Sequence, residues 1–251
     1  MLETHDLARI LLEEKQAHLK GGLYYQTQIQ LCYNSNRIEG NRLSEEQTRY
    51  IFETNTINLP AEETAEVDDI IETANHFACF DAMLSQVNEA LSESMIKDFH
   101  RLLKSSTSDA RRDWFRVGEY KVRPNVVGDT RTTAPSRVAA EMQTLLAAYH
   151  AKSAVSLEDI VDFHVAFERI HPFQDGNGCV GRIILFKECL RGGIMPFIID
   201  HEHKLFYYRG LQEYAAEKGF LLDTCRSAQD RYAQTVQYFF PDEDEIQGLT
   251  Q

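Results

Sequence analysis

Long apolar runs are missing from this sequence. No stretch of its 251 residues approaches the roughly 20 uninterrupted apolar residues that a membrane-spanning helix needs. The chain begins MLETHD, with acidic residues where a secretory signal peptide carries a basic and then an apolar region. From these absences we predict a cytoplasmic protein without a membrane partner.

Basic residues are also comparatively few. The 26 Lys and Arg residues are outnumbered by 39 Asp and Glu residues, which gives a net charge of −13. This balance argues against general nucleic-acid binding, which depends on cationic contacts to phosphate. A nucleotide ligand stays compatible with it, because a few local cations and backbone amides suffice for one triphosphate.

Cysteine patterns that form disulfide frameworks or zinc sites are absent. The five cysteines are odd in number, widely spaced and free of any C-x-x-C pair: Cys32, Cys79, Cys179, Cys189 and Cys225. The pair His201 and His203 lacks a third ligand, so we do not interpret it as a metal site. The sequence also has no G-x-x-x-x-G-K-[S/T], which excludes an ordinary P-loop NTPase.

Linkers and internal repeats are likewise missing, so we predict a single domain over residues 1–251. Many segments have apolar residues repeating with the period of an α-helix, and the chain has only six prolines. Both features favour a mostly α-helical fold. We divide the chain into a helical N-terminal part, residues 1–60, and a core with C-terminal helices, residues 61–251.

Several helix boundaries are marked locally. Ser44 and Gln47 predict a capping box that opens one helix, and Ser156 opens another that ends near Ile170, before Pro172. Further helices are predicted over residues 61–87 and 94–104. Residues 118–135 break the helical pattern with Val, Pro and Gly, and we predict a β-hairpin or extended flap there.

The segment between two apolar helices carries the chemistry. It reads HPFQDGNG from His171 to Gly178, and the second helix is predicted to begin near Cys179. Glycines at 176 and 178 allow a tight turn that leads into a helix N-terminus, where free amides and the helix dipole favour an anion.

Four side chains around this turn differ in chemistry. Asp175 is a hard oxygen ligand suited to Mg²⁺ that bridges phosphates. Asn177 is expected to donate to a phosphate oxygen, and Arg182 to pair with a terminal phosphate. His171 can accept a proton near neutral pH. A base, a metal ligand, an anion site and an arginine together suit phosphoryl or nucleotidyl transfer.

The stretch HPFQDGNGCVGR resembles the signature of Fic-domain proteins of the Fic/Doc superfamily, H-P-F-x-[D/E]-G-N-G-R-x-x-R. The similarity extends to residues 163–170 before the motif, to residues 72–75 and to the helix that contains His100. Residues 204–211 are similar to the family's segment that closes over the nucleoside. The resemblance covers roughly residues 35 to 215.

The resemblance implies an all-α, Fic-type domain with a small hairpin flap over the active site. It implies a protein adenylyltransferase that moves AMP from ATP to a Ser, Thr or Tyr hydroxyl of a target protein, with His171 as the base and Mg²⁺ held by Asp175. The implied nucleotide-binding residues are Phe173, Gly176, Asn177, Gly178, Cys179, Arg182, Tyr207 and Tyr208. The implied target-docking flap residues are Tyr120, Val122, Val126 and Val127. The target protein is unknown, and the chain itself is one candidate. A homo-oligomer is compatible with the sequence.

Cys179 departs from the family pattern, which has Arg at this position. Three outcomes stay open: a weakened but active transferase, altered nucleotide use, or a nucleotide-binding regulatory module with weakened catalysis. A thiol at a helix N-terminus is also a candidate for a lowered pKa and high reactivity.

Ser35, Glu39 and Gly40 resemble the family's inhibitory motif, [S/T]-x-x-x-E-[G/N], in the N-terminal placement of class II-like members. Glu39 is expected to pair with Arg182 and to take the place of the γ-phosphate, which restrains AMP transfer. The same glutamate implies an alternative activity, the removal of AMP from modified protein.

Overall fold

Ten α-helices and one two-stranded hairpin make up the regular structure of residues 4–128 and 130–241, which the computed structural model describes. The helices are α1 (Thr4–Gln16), α2 (Leu23–Ile38), α3 (Glu45–Thr54), α4 (Val67–Ser85), α5 (Glu93–Lys104), α6 (Pro135–His150), α7 (Leu157–Ile170), α8 (Asn177–Arg191), α9 (Lys204–Glu213) and α10 (Gly219–Phe239). Short 3₁₀ helices occupy Asp109–Arg111 and His201–His203, and the strands are β1 (Val126–Val127) and β2 (Thr130–Arg131). The predicted helical fold with a small hairpin is confirmed.

Local capping fixes the starts of α3 and α7 as predicted. Ser44 Oγ accepts from the Gln47 amide at 3.1 Å, and Gln47 Oε1 accepts from the Ser44 amide at 2.9 Å. Ser156 and Asp159 form the same reciprocal pair at α7. Each pair satisfies two amides that have no partner within the helix.

Four predicted helix boundaries, in three helices, need correction. The helix predicted over residues 61–87 is α4, which begins at Val67 and ends at Ser85, and α5 begins one residue before its predicted start. Helix α8 begins at Asn177, two residues before Cys179, because Gly176 caps it in the left-handed region with φ +76°. Glycine adopts this conformation without the strain that a Cβ brings.

Helix α8 lies at the centre of the molecule. All of its residues from Asn177 to Leu190 are buried, and it packs against α1, α2, α4, α5 and α7. A helix that is buried on every side belongs to the core rather than to the surface. The loop before α8 is therefore held on a rigid element, and α2 from the N-terminal part lies beside it. The division at residue 60 stays a prediction.

The hairpin is much shorter than the flap predicted over residues 118–135. Among the residues described in this segment, strand pairing is limited to Val126–Val127 and Thr130–Arg131, in antiparallel register with Val126 opposite Arg131. The preceding residues bond elsewhere: the Lys121 amide donates to Pro172 O at 2.9 Å, and Asn125 Nδ2 donates to Phe173 O at 3.1 Å. These bonds attach the base of the flap to the 171–178 loop.

Among the described residues, no helix has both the length and the apolar character required to cross a bilayer.

Candidate active site

The chain bends sharply at His171, between α7 and α8. His171 is the C-cap of α7 and has φ +51°, and its amide donates to Phe167 O at 2.8 Å. Pro172 cannot continue the helix, and left-handed backbone is uncommon for residues other than glycine. The His171 side chain, which follows the last residue of α7, keeps about a fifth of its surface exposed.

Asn177 and Phe173 brace the turn from inside. Asn177 Oδ1 accepts from the Phe173 amide at 2.8 Å, and Asn177 Nδ2 donates to Phe173 O at 3.0 Å. The Phe173 ring is fully buried and stacks on His100 with a centroid distance of 4.0 Å. In this structure both side chains stabilise the fold of the loop, and their predicted contact with the nucleotide stays a prediction. The amides at the start of α8 are the groups left for an anion.

Replacing Asn177 with alanine is expected to destabilise the protein by about 1–3 kcal/mol, since it removes the side-chain partner of the Phe173 amide and leaves the Phe173 carbonyl with Asn125 Nδ2 alone. Thermal and urea unfolding measure the change. Asn88 is exposed, so Asn88→Ala serves as the control and should leave the unfolding free energy nearly unchanged. Equal stability of the two variants would contradict the bracing role.

Arg182 meets the predicted inhibitory motif directly. Its Nη2 donates to Glu39 Oε1 at 2.7 Å and to Ser35 O at 3.0 Å, and its Nε donates to Ser35 Oγ at 2.9 Å. Burial works to lower the pKa of Arg182, but the Glu39 carboxylate, together with Tyr207 and Cys179, raises it overall. Gly40 has φ +103°, which a residue with a Cβ adopts only with strain. The predicted contact between Glu39 and Arg182 is thus present.

Glu39 also covers the start of α8. A Cβ built on Gly178 would collide with Glu39 Oε1, so the carboxylate lies directly against the first turn of this helix. That is the position where free amides and the helix dipole favour an anion. The structure therefore places a carboxylate of the chain itself in the anion site that the sequence predicted.

The space left beside this carboxylate is small. A cavity of about 70 Å³ is lined by Asn36, Glu39, Glu72, Leu103, Lys104, Asp175, Gly176 and Cys179. Glu39 both lines this cavity and lies against Gly178 at the start of α8, so its carboxylate takes up space beside the first turn of that helix. A larger surface cavity, beside Asp162 and Lys218, is lined by none of the predicted site residues.

Asp175 is paired with a lysine. Lys104 Nζ lies 2.6 Å from Asp175 Oδ2 and 2.5 Å from Glu72 Oε1. Burial tends to raise the pKa of Asp175, but the Lys104 ammonium more than offsets it, so the pKa is lowered and the group is ionised. Within the described ranges, no group of three or more His, Cys, Asp or Glu side chains is arranged to hold a metal ion. Mg²⁺ in phosphate sites uses one or two carboxylates plus phosphate oxygens and water, so the half-exposed Asp175 carboxylate fits it.

The environment of His171 favours the neutral ring. Burial and the nearby Lys121 ammonium lower the pKa of His171. Glu168 Oε2 lies 3.9 Å from His171 Nδ1, and burial together with the Glu39 charge raises the pKa of Glu168 to about 8. A neutral imidazole has one nitrogen free to accept a proton.

Cys179 is not the acidified thiol that its place in the sequence suggested. It lies buried in the first turn of α8, 3.5 Å from Ser35 Oγ. Burial raises the pKa of Cys179 to about 11, although Arg182 works in the opposite direction. Loss of solvation thus outweighs the positive end of the helix, and the thiol is neutral at pH 7.

The two tyrosines of α9 have different surroundings. Tyr207 is buried, and its hydroxyl is hydrogen-bonded to His164 Nε2 at 2.7 Å; its predicted contact with the nucleoside stays a prediction. His164 itself is buried in the core. Tyr208 is partly exposed and donates to Ile38 O at 3.1 Å, which ties α9 to the end of α2 beside Glu39.

The flap residues divide in the same way. Val122, Val126 and Val127 are exposed, as a docking surface requires. Tyr120 is partly buried and packs against the main core, with Lys97 Nζ 4.4 Å from its ring centroid, and its predicted docking role stays a prediction. It supports the base of the flap.

Sequence reasoning missed Lys104, Glu72, Lys121 and Glu168. Lys104 ends an otherwise apolar face of α5, and Glu168 stands three residues before His171, where a bend can bring the two together. These two sequence positions were the signals from which Lys104 and Glu168 could have been identified as site residues. Lys121 is buried and donates to Asn125 Oδ1 at 2.7 Å, a contact that nothing local indicates.

Comparison with known proteins shows which family part of this chain is similar to. Residues 90–188 match the sequence model of the Fic/DOC family, and the matched range holds α5 to α7, the hairpin, the 171–178 loop and most of α8. This range of the chain is similar to Fic/DOC proteins.

Curated relatives share its sequence over most of its length. The chain is 27% identical over 218 residues to a protein adenylyltransferase fic-1 of Caenorhabditis briggsae, which covers 84% of this chain and 41% of the relative. It is 28% identical over 187 residues to a protein adenylyltransferase Fic of Aedes aegypti, with 73% of this chain and 36% of the relative covered. The chain thus spans less than half the length of these relatives.

Solved structures agree on the fold. A Fic domain containing signaling protein from Bacteroides thetaiotaomicron superposes with a TM-score of 0.72 at 22% identity, covering 90% of this chain and 93% of that one. Fic-1 from Caenorhabditis elegans superposes with a TM-score of 0.68 at 21% identity, covering 94% of this chain and 70% of that one.

Proposed function

We propose that this chain transfers AMP from ATP to a Ser, Thr or Tyr hydroxyl of a target protein, and that Glu39 restrains the reaction. One observation carries the proposal: the Glu39 carboxylate lies on the first turn of α8 and on Arg182 at once. A site that holds an anion of the chain in this way is built for the anion of a ligand. The names of the curated relatives support AMP as the transferred group.

The chemistry assigns one role to each group of the site. The amides of residues 176–178 receive the α-phosphate, and Arg182, released from Glu39, pairs with the outer phosphates. His171 takes the proton of the target hydroxyl while that oxygen forms a bond to the α-phosphorus. The bond between the α-phosphorus and the oxygen that bridges to the β-phosphorus breaks, and pyrophosphate leaves.

Asp175 is the residue that would hold Mg²⁺ beside the phosphates. The bound ion would neutralise charge on the triphosphate and its leaving group. Asp175 is ionised and reachable from solvent, as such a ligand must be.

The pH dependence of the reaction should follow His171. Since the pKa of His171 is lowered, the ring is in its basic form at pH 7, and protonation on acidification removes the base. We expect kcat/KM of the Glu39→Gly variant to be level near neutrality and to fall only below pH 6.5, the ordinary pKa of histidine. A profile between about pH 5 and 8 measures this. An acid limb centred above neutral pH would contradict the assignment of His171 as the base.

Cys179 favours a second candidate, a nucleotide-binding regulatory module with weakened catalysis. A buried neutral thiol supplies no charge where the family motif has Arg. Removal of AMP is a third candidate, because the Glu39 carboxylate lies at the site and can accept a proton from an attacking water molecule.

Three proteins tested with ATP labelled at the α-phosphorus separate these candidates: wild type, His171→Ala and Cys179→Arg. Label on protein in the wild type that disappears in His171→Ala supports AMP transfer. Label that appears only in Cys179→Arg supports the module. Release of AMP from modified target by the wild type with Mg²⁺ supports removal. Candidate targets are the chain itself and proteins of a native lysate.

A further inference from the structure

The cavity beside Glu39 has an unusual balance of charge for a site that takes a triphosphate. Three carboxylates line it, those of Glu39, Glu72 and Asp175, and Lys104 is the one cation among its described lining residues. Cys179, which stands in place of the motif arginine, lines the same cavity without a charge. A phosphate group entering this space would meet repulsion everywhere except at Lys104 and at the amides of α8.

Lys104 is held firmly in this place. Its side chain is buried, and its stem packs under the turn that opens α8, where a Cβ on Gly176 would lie 3.2 Å from Lys104 Cδ. Two carboxylates, those of Glu72 and Asp175, lie within hydrogen-bond distance of the ammonium and hold it from either side of Lys104 in the sequence. The group is a fixed charge rather than a mobile surface lysine.

The ammonium keeps a donor in reserve. A lysine ammonium has three N–H donors. Among described residues, its hydrogen bonds go to Glu72 and Asp175, which uses two of them. Because Lys104 also lines the cavity, the third donor has a route to a ligand there.

We propose that Lys104 binds the outer phosphates of ATP and so supplies the cation that Cys179 does not. This inference rests on the proposed function, because it presumes that the cavity is the triphosphate site. Lys104 and Cys179 share the cavity with Glu39, whose carboxylate takes the place proposed for the γ-phosphate. Lys104 therefore discriminates between nucleotides with and without outer phosphates.

Isothermal titration calorimetry with ATP and with AMP, in Mg²⁺, tests the proposal in the Glu39→Gly background. Lys104→Met is expected to weaken ATP binding by roughly ten- to a hundredfold, because a charged hydrogen bond is lost, and to change AMP binding far less. Lys104→Arg should restore most of the preference for ATP over AMP. Lys15→Met is the matched control, since Lys15 pairs with Asp81 at a distance from the cavity.

Lys104→Met leaves Glu72 and Asp175 without their shared partner, so its folding is checked by circular dichroism and thermal unfolding. If it fails to fold, the double variant Lys104→Met/Glu72→Gln replaces it, because this variant removes one of the two carboxylate charges. Its binding of ATP is then compared with its binding of AMP in the same way. Equal loss of ATP and AMP binding would overturn the proposal and show a structural role for Lys104. Unchanged ATP binding would also overturn it. A parent protein that binds neither nucleotide would instead defeat the proposed function itself.

Discussion

Replacing His171 with alanine is expected to lower kcat for AMP transfer by roughly 10²- to 10⁴-fold, the usual contribution of a general base, while ATP binding changes little. We expect kcat to fall without a change in ATP binding, because the fold of the 171–178 loop does not depend on the imidazole. Asn177 and Phe173 brace the turn through the backbone, and the Lys121 amide holds Pro172 O. Single-turnover rates and calorimetric affinities, measured in the Glu39→Gly background, give the two quantities separately.

The left-handed backbone of His171 calls for a matched variant. Alanine at φ +51° carries a strain of about 1–2 kcal/mol, whereas asparagine visits this region readily. His171→Asn should therefore lose activity as far as His171→Ala does while it unfolds at a higher temperature. Activity retained by either variant would remove His171 from the chemistry. A parallel loss of ATP affinity in both would show that the ring shapes the site instead.

Replacing Glu39 with glycine is expected to tighten ATP binding and to raise AMP transfer, each by roughly ten- to a hundredfold. The estimate follows from one charged hydrogen bond, worth about 1.5–3 kcal/mol, that ATP no longer has to displace from Arg182. Removal of the carboxylate also frees the space above Gly178 and opens the 70 Å³ cavity. Calorimetry and the initial rate of label transfer measure the two effects.

The same substitution should make the protein less stable in the absence of nucleotide. Arg182 is almost completely buried, and without Glu39 it keeps only Ser35 as an oxygen partner among the contacts described above. A buried cation that loses its partner is costly. We expect a lower melting temperature for Glu39→Gly and a larger rise on addition of ATP than in the wild type, because a tighter ligand stabilises more.

Glu63→Gly is the control for Glu39→Gly, because Glu63 is an exposed acid in the connection before α4. It should leave ATP affinity and AMP transfer unchanged. The restraint assigned to Glu39 would be refuted by a Glu39→Gly variant that binds ATP and transfers AMP at the wild-type level.

Features set by neighbouring residues could be predicted from the sequence. The capping boxes at Ser44 and Ser156 involve residues three positions apart, and the end of α7 is fixed by Pro172. The contact of Glu39 with Arg182 was also predicted, although 143 residues separate the two, because a family motif implied it.

Features set by distant contacts could not be predicted. Lys104 joins Glu72, 32 residues before it, to Asp175, 71 residues after it, and nothing in the local pattern of α5 indicates either partner. The hairpin was predicted too long because the Lys121 amide donates to Pro172 O of the 171–178 loop instead of pairing in the hairpin. Asn125 Nδ2 also donates to that loop, at Phe173 O, while Asn125 O accepts from the Thr132 amide across the hairpin. Asn177 was assigned to phosphate because its amide can donate, whereas the folded loop uses that amide on Phe173.

The position of the transferred label tests the central claim most directly. Glu39→Gly protein, Mg²⁺ and a target are incubated with ATP labelled either at the α-phosphorus or at the γ-phosphorus. The account predicts that label from the α-phosphorus stays on protein and that label from the γ-phosphorus leaves with pyrophosphate. Label transferred from the γ-phosphorus, or from neither position, would contradict it.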